Sequence, residues 1–306
     1  MIRKLLILLF VFSPFLFSQY DRPGSADGQF LKIGISPRGS ALGDAFIATV
    51  QGAEATYYNP AALPWQKRTD IVFDHTQWFA GINHEFLAAA INFEDYGALG
   101  ISFTGLYTDL MKVTTPLQPE GTGETFYAAN YRFGLSYARY LTDRVTVGAT
   151  VSYIYMSLYK GFSAKAVSLD ITTMYVSDFR GFRFGMGISN FGSNIQFLNE
   201  SNPLPTTFTF GFGIDLLEFE NHTLLLSFSS IKPNEGAPQA SVGLEWNFQN
   251  MLFLRGGYRL NQGVANYSFG VGAKADIFSN SLRFDYSYSN FLLLGGVHRF
   301  GLGITL

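Results

Sequence analysis

The chain has 306 residues, of which 47% are hydrophobic and 17% aromatic but only 14% charged, where a soluble domain usually carries about a quarter. A formal net charge of -2 gives no basic field for nucleic acid. The absence of cysteine excludes a disulfide framework, a thiol nucleophile and a cysteine metal site.

Residues 1–18 read as a secretory signal: Arg3 and Lys4 precede an apolar run from Leu5 to Phe17, with cleavage expected near Ser18 and Gln19. The run is short for a bilayer-spanning helix, and nothing after it approaches the roughly 20 apolar residues such a helix needs. An exported, apolar chain without spanning helices must carry its hydrophobicity in another pattern.

Residues 19–68 do not alternate. Ser40 to Val50 fits a short helix capped by Ser40, with Ala41, Leu42, Ala45, Phe46 and Ala48 as contacts and Gly52 as a stop. Ala53 to Leu63 fits a turn and a second short helix, Asn59 being restricted by Pro60. A piece of this size is expected to plug a lumen.

From residue 69 the chain alternates with period two. Phe208, Phe210, Phe212 and Ile214 share one face, with Thr207, Thr209, Gly211 and Gly213 on the other. Leu282, Phe284, Tyr286 and Tyr288 oppose Arg283, Asp285 and Ser287 in the same way. The small face carries Gly, Ser and Thr rather than the Lys and Glu of a soluble sandwich, which points to apolar side chains in lipid and a crowded lumen. About fourteen strands are expected, at 69–79, 84–94, 97–107, 127–141, 144–159, 164–177, 181–191, 205–217, 220–231, 238–248, 251–261, 265–276, 281–289 and 296–306. Tyr107, Tyr131, Tyr153, Tyr155, Tyr175, Tyr258, Tyr267 and Trp246 are candidates for interfacial girdles. The longest connections follow odd-numbered strands, so with a periplasmic N-terminus they face outside, and both termini are expected to be periplasmic. The fold expected is a 14-stranded antiparallel outer-membrane β-barrel of a diderm bacterium, with a small N-terminal hatch containing short helices. Its domains are 1–18 signal, 19–68 hatch and 69–306 barrel.

Arg132, Asp170, Arg183, Asp215, Glu245, Arg255, Arg259, Lys274, Asp276, Arg283, Asp285 and Arg299 take the lumen parity. They can pair with one another or with Arg38, Asp44 and Glu54, either as a network fixing the hatch or as a polar path. Mixed signs argue against a strongly ion-selective pore. Leu110, Met111, Val113, Pro116 and Leu117 in one long connection, and Phe291, Leu292 and Leu293 in another, are apolar loop tips that either bind a partner or fold over the mouth. The four histidines, His75, His84, His222 and His298, form no metal or catalytic spacing, and Asp74 and His75 point to opposite faces. No enzyme, cofactor or metal site is expected, and the partners expected include outer-membrane lipid.

The run from Gly34 to Phe46, containing Pro37, Arg38, Gly39, Ala41, Gly43, Asp44 and Ala45, followed by Asn59, Pro60 and Ala61, resembles the N-terminal signature of the PorV/PorQ family of outer-membrane proteins. It is similar, more distantly, to the Asn-Pro-Ala hatch of FadL-type transporters. The motif covers about thirty residues; the architecture implied spans the whole chain. The PorV/PorQ resemblance implies a docking or shuttle component for exported proteins in type IX secretion, with secretion components and cargo as partners. The FadL resemblance implies a transporter for fatty acids or other hydrophobic small molecules.

Overall fold

A computed structural model describes residues 22–159, 161–261 and 266–306; the expected signal at 1–18 lies outside them. Fourteen strands form a closed barrel. They are β1 (Asp70–Gln77), β2 (Ile82–Asn92), β3 (Ala98–Thr108), β4 (Ala129–Thr142), β5 (Val145–Tyr159), β6 (Phe162–Val176) and β7 (Arg183–Gly192), then β8 (Thr207–Phe219), β9 (His222–Pro233), β10 (Gln239–Phe248), β11 (Leu252–Leu260), β12 (Tyr267–Ile277), β13 (Asn280–Asn290) and β14 (Gly296–Thr305). Every neighbouring pair is antiparallel, and β1 closes on β14 with Asp70 opposite Thr305. Closure leaves no strand edge unpaired, which a sheet in hydrocarbon requires.

The alternation sorts side chains as the sequence predicts. Phe133, Leu135, Phe208, Phe210, Leu254, Phe269 and Leu302 are exposed on the outside, whereas Ser136, Thr150, Ser152, Ser227 and Ser287 are buried within. So continuous an apolar exterior belongs in lipid.

The lumen is filled by residues 26–65. The first helix, α1, spans Pro37–Ala41, not Ser40 to Val50, and its cap is Ser36, whose Oγ accepts from Gly39 N at 3.1 Å. Sequence reasoning overran because Gly43 and Asp44 both take positive φ (69° and 63°), which ends the helix at once. The second, α2, spans Ala55–Tyr58, flanked by 3₁₀ turns at Gly52–Glu54 and Pro60–Trp65.

The lumen-facing glycines exist for this segment. A Cβ on Gly257 would stand 2.1 Å from Gly43 N, and one on Gly148 would stand 2.4 Å from Ala61 N. Both distances are far inside van der Waals contact, so hatch backbone lies directly against barrel backbone.

Leu306 lies beside the short turns, its N–H bonded to Thr69 O. Residues 26–32 instead lie among the long connections, with Asp27 N donating to Pro203 O at 3.0 Å. β1 thus starts, and β14 ends, at the short-turn end, while residues 26–32 lie at the other. The reason is that the segment before β1 threads the lumen lengthwise.

Candidate functional site

The hatch is tied to the wall by one continuous ion network. Arg38 on α1 makes two 2.8 Å bonds to the Glu245 carboxylate, which also accepts from Arg255 Nε at 2.6 Å. Arg255 donates to Asp285 Oδ1 at 2.5 Å, and Arg283 Nε lies 3.1 Å from Asp285 Oδ2. Arg283 Nη2 then reaches to 3.9 Å from Glu54, which accepts from Ser36 Oγ at 2.9 Å. The chain of charges begins on the hatch, crosses β10, β11 and β13, and returns to the hatch. Burial, opposed by the Arg283 charge, lifts the Glu54 carboxyl above its ordinary value.

The signature residues take their places for local reasons. Asp44 accepts from Arg259 at 2.8 Å, and the Ala45 carbonyl accepts from Ser227 Oγ. Pro37 packs where Gly301 leaves room, Ala41 does so at Gly270, and Gly39 makes room for the Phe46 ring. Asn59 Nδ2 donates to Ile47 O at 2.8 Å while its Oδ1 caps Ala61 N, which also meets Thr172 Oγ1 at 3.0 Å. Pro60 needs no donor there.

Of the other charges with lumen parity, Arg183 pairs with Asp215 at 3.3 Å, and Arg132 with Asp170 at 2.5 Å. Lys274 stands 3.7 Å from Asp276. Asp276 is not in the lumen interior: it is exposed near the β12–β13 turn, where the strand runs out of wall. Arg299, 2% exposed, donates to Ser289 Oγ at 3.2 Å and lies 5.5 Å from the Trp78 ring.

Above the hatch lies a cavity of about 370 Å³. The hatch side supplies Leu31, Ile47, Tyr57 and Tyr58, and the wall supplies Ser189, Asn190, Thr209, Ile231 and Ser241. Tyr57 is held by donating to the carbonyls of Leu31 and Ile33, and the Arg132 guanidinium stacks 4.9 Å over its ring. At this height the β6–β7 ladder slips, with Leu169 opposite Phe191 but Ile171 opposite Ile188. Asn190 takes a positive φ of 59°, and Asp170 Oδ1 accepts from its N–H at 2.6 Å. The bulge therefore sits in the cavity wall, where the ladder is locally interrupted.

A strap over residues 26–32 covers the cavity from the long-connection side. One carboxylate fastens it: Glu235, in the β9–β10 connection, accepts from Ala26 N at 3.2 Å, from Lys32 Nζ at 3.0 Å and from Gln29 Nε2. Sequence reading missed Glu235, Tyr57 and the Ser189–Asn190 step. A glutamate in a polar loop reads as solvated, and only the threaded chain gives it partners.

The apolar tips differ from one another. Leu117 is 93% exposed; Leu110, Met111, Pro116, Leu292 and Leu293 are also exposed, and Val113 is half-buried. Phe291 turns inward, making edge contacts with Trp78 and Phe79 at 5.3 and 5.0 Å. At the short-turn end a second cavity, about 390 Å³, is lined by Arg38, Arg183, Asp215, Glu245, Arg255 and Arg283 and is strongly polar. His75 faces outward, 2.8 Å from Glu85, so it cannot meet Asp74, which is buried in the lumen. No cluster of metal-ligating side chains occurs among the described residues.

Comparison with protein-family models and with curated protein sequences finds no match. Solved structures do match in shape. The CymD monoaromatic hydrocarbon channel superposes with a TM-score of 0.59 at 12% identity, covering 89% of this chain and 96% of that one. The Pseudomonas putida toluene transporter TodX gives 0.59 at 11% identity, over 89% and 97%. A Pseudomonas aeruginosa FadL homologue gives 0.53 at 11% identity, over 89% and 98%. At these identities the likeness is one of fold: a closed 14-strand antiparallel barrel with short N-terminal helices, as in FadL-like outer-membrane barrels.

Proposed function

We propose that this barrel admits hydrophobic small molecules from outside the cell into the cavity above the hatch. The observation that carries the reading is the cavity itself, bounded by hatch, strap and wall in a barrel whose middle is filled by the hatch. The bulge at Asn190 supports a sideways exit, because a molecule in the cavity meets the wall where the ladder is broken, whereas the route through the hatch crosses the buried ion network. The neighbours in fold are hydrocarbon channels and transporters, which agrees with the proposal. The test is equilibrium dialysis of the detergent-solubilised protein against 2-methylnaphthalene and 2-naphthalenemethanol, each corrected for partition into empty micelles. Saturable uptake of about one molecule per barrel of at least one of them is expected, abolished by Thr209→Arg, which fills the cavity. Absence of saturable binding of either sinks the reading.

The strap implies a pH dependence. Burial alone would raise the Glu235 carboxyl, but the hydrogen bonds from Lys32 and Gln29, the Lys32 charge and the Ala26 N–H hold it below its ordinary value. A carboxyl lowered by folding lends its stabilisation fully above the unfolded pKa, about 4.3 for glutamate, and loses it as pH falls through the lowered value. A nitroxide on Ser25→Cys should therefore gain mobility on acidification below about pH 4. In Glu235→Gln it should be mobile already at neutral pH. A spectrum insensitive to both changes would show that Glu235 does not fasten the strap.

The narrower reading, a PorV/PorQ-type docking component for exported proteins, is favoured by the signature and by the exposed Leu117 and Leu293 tips. Passage is preferred because hatch and wall together build the cavity, whereas the tips are exposed loop residues. Co-purification of secretion components or exported cargo with the native protein would reverse that preference.

A further inference from the structure

The polar groups inside the outer cavity restrict what can occupy it. On the wall, the hydroxyls of Ser189, Thr209 and Ser241 and the side-chain amide of Asn190 make no hydrogen bond to another described residue. They come from β7, β8 and β10 and form a largely polar side, into which β9 sets Ile231 opposite Thr209. Leu31, Ile47 and the Tyr57 ring form an apolar side opposite. The two cations that line the cavity are both spent: Lys32 lies 3.0 Å from Glu235, and Arg132 lies 2.5 Å from Asp170. Asp44, the remaining charged group there, gives its Oδ2 to Arg259 at 2.8 Å, so its charge is already paired although its Oδ1 accepts no hydrogen bond among the described residues.

Each class of occupant can be weighed against this arrangement. A plain hydrocarbon would strip water from four hydrogen-bonding groups and return nothing, a cost incurred at every one of them. A carboxylate would bring a charge for which no cation is free, so it would have to break a buried ion pair or remain unpaired. A neutral molecule with an apolar body and a hydroxyl or amide pole satisfies both sides at once.

Resting on the reading that the cavity binds small molecules, we infer that its ligand is an uncharged amphiphile, its hydroxyl or amide pole set on the Ser189, Asn190, Thr209 and Ser241 side and its apolar body against Leu31, Ile47 and Tyr57.

The experiment compares three molecules on one skeleton: 2-methylnaphthalene, 2-naphthalenemethanol and 2-naphthoate at neutral pH. Each is measured by equilibrium dialysis with the intact protein in detergent and corrected for partition into empty micelles. The alcohol should bind about tenfold more tightly than the hydrocarbon, the gain expected of one or two net hydrogen bonds, and the naphthoate should bind weakest. The pair Thr209→Val with Ser241→Ala should remove the alcohol's advantage, so that alcohol and hydrocarbon bind the variant with the same affinity. Hydrocarbon or naphthoate binding as tight as the alcohol would overturn the inference and leave the cavity a binding site. An unchanged preference for the alcohol in the double variant would also overturn it, by removing the wall from the explanation. If none of the three binds, the functional reading falls and takes this inference with it. Should the double variant fail to fold, as judged by the heat-dependent shift in gel mobility typical of barrels, the wild-type ranking of the three molecules still decides.

Discussion

Replacing Glu245 with Ala is expected to destabilise the folded barrel by about 3–5 kcal/mol, the usual cost of leaving buried charges without their partner. The carboxylate is 5% exposed and receives three donors at once, two from Arg38 and one from Arg255. Its removal leaves Arg38 with no carboxylate among the described residues. Arg255 keeps Asp285, so the hatch side of the network should fail first. Urea titration of the protein folded in lipid should show a lowered midpoint, and protease added from the short-turn end should cut within residues 36–58 before the strands are lost. A double variant, Arg38→Met with Glu245→Leu, removes both ends of the contact and should be closer to wild type than Glu245→Ala, because a buried pair replaced by apolar groups costs less than one broken in half. Equal stability of Glu245→Ala and wild type would mean that the network is solvated and does not hold the hatch.

Two adjacent positions on β8 should behave in opposite ways. Phe210 is exposed on the outer surface, and Thr209 lines the outer cavity. Phe210→Arg places a charge in hydrocarbon and should cost roughly 2–4 kcal/mol near the midplane, less towards an interface. It should leave the cavity, and hence ligand binding by the folded fraction, unchanged. Thr209→Arg meets polar groups, so it should destabilise less yet abolish binding. The two variants thus separate folding from function by one residue. Folding yields into vesicles of defined lipid measure the first effect, and dialysis measures the second. Equal loss of folding in both would contradict the assignment of faces.

Both expectations depend on features that differ in how visible they were in the chain. The faces of β8 follow from the period of two, which any strand enforces residue by residue. The assignment of Phe210 and Thr209 therefore needed no partner strand. The same holds for Arg283 and Asp285 on β13 and for the compact turns at one end of the barrel. Asp276 escaped the rule because parity gives a direction but not a depth, and it stands near a strand end.

The Arg38 to Glu245 bond was not visible at that level. It joins residues 207 positions apart, and which lumen charge meets which hatch residue depends on the stagger of the strands around the barrel and on the height at which the hatch rests. The second hatch helix fell inside its expected span, whereas the first was misplaced, because the left-handed turn at Gly43 and Asp44, which these residues tolerate, is seated against Gly257 and Arg259.

What the sequence by itself determined is the class of object: an alternating, greasy, cysteine-free chain whose small residues face inward, with a non-alternating segment to fill the inside. These are local properties, written in neighbours two residues apart. Tertiary structure alone decided that the N-terminal segment runs the length of the lumen, that Glu235 fastens it, and that a cavity with one polar and one apolar side remains above Tyr57. Those outcomes arise from contacts between residues distant in the chain, whose energies depend on closure of the barrel and have no signature in any short stretch of sequence.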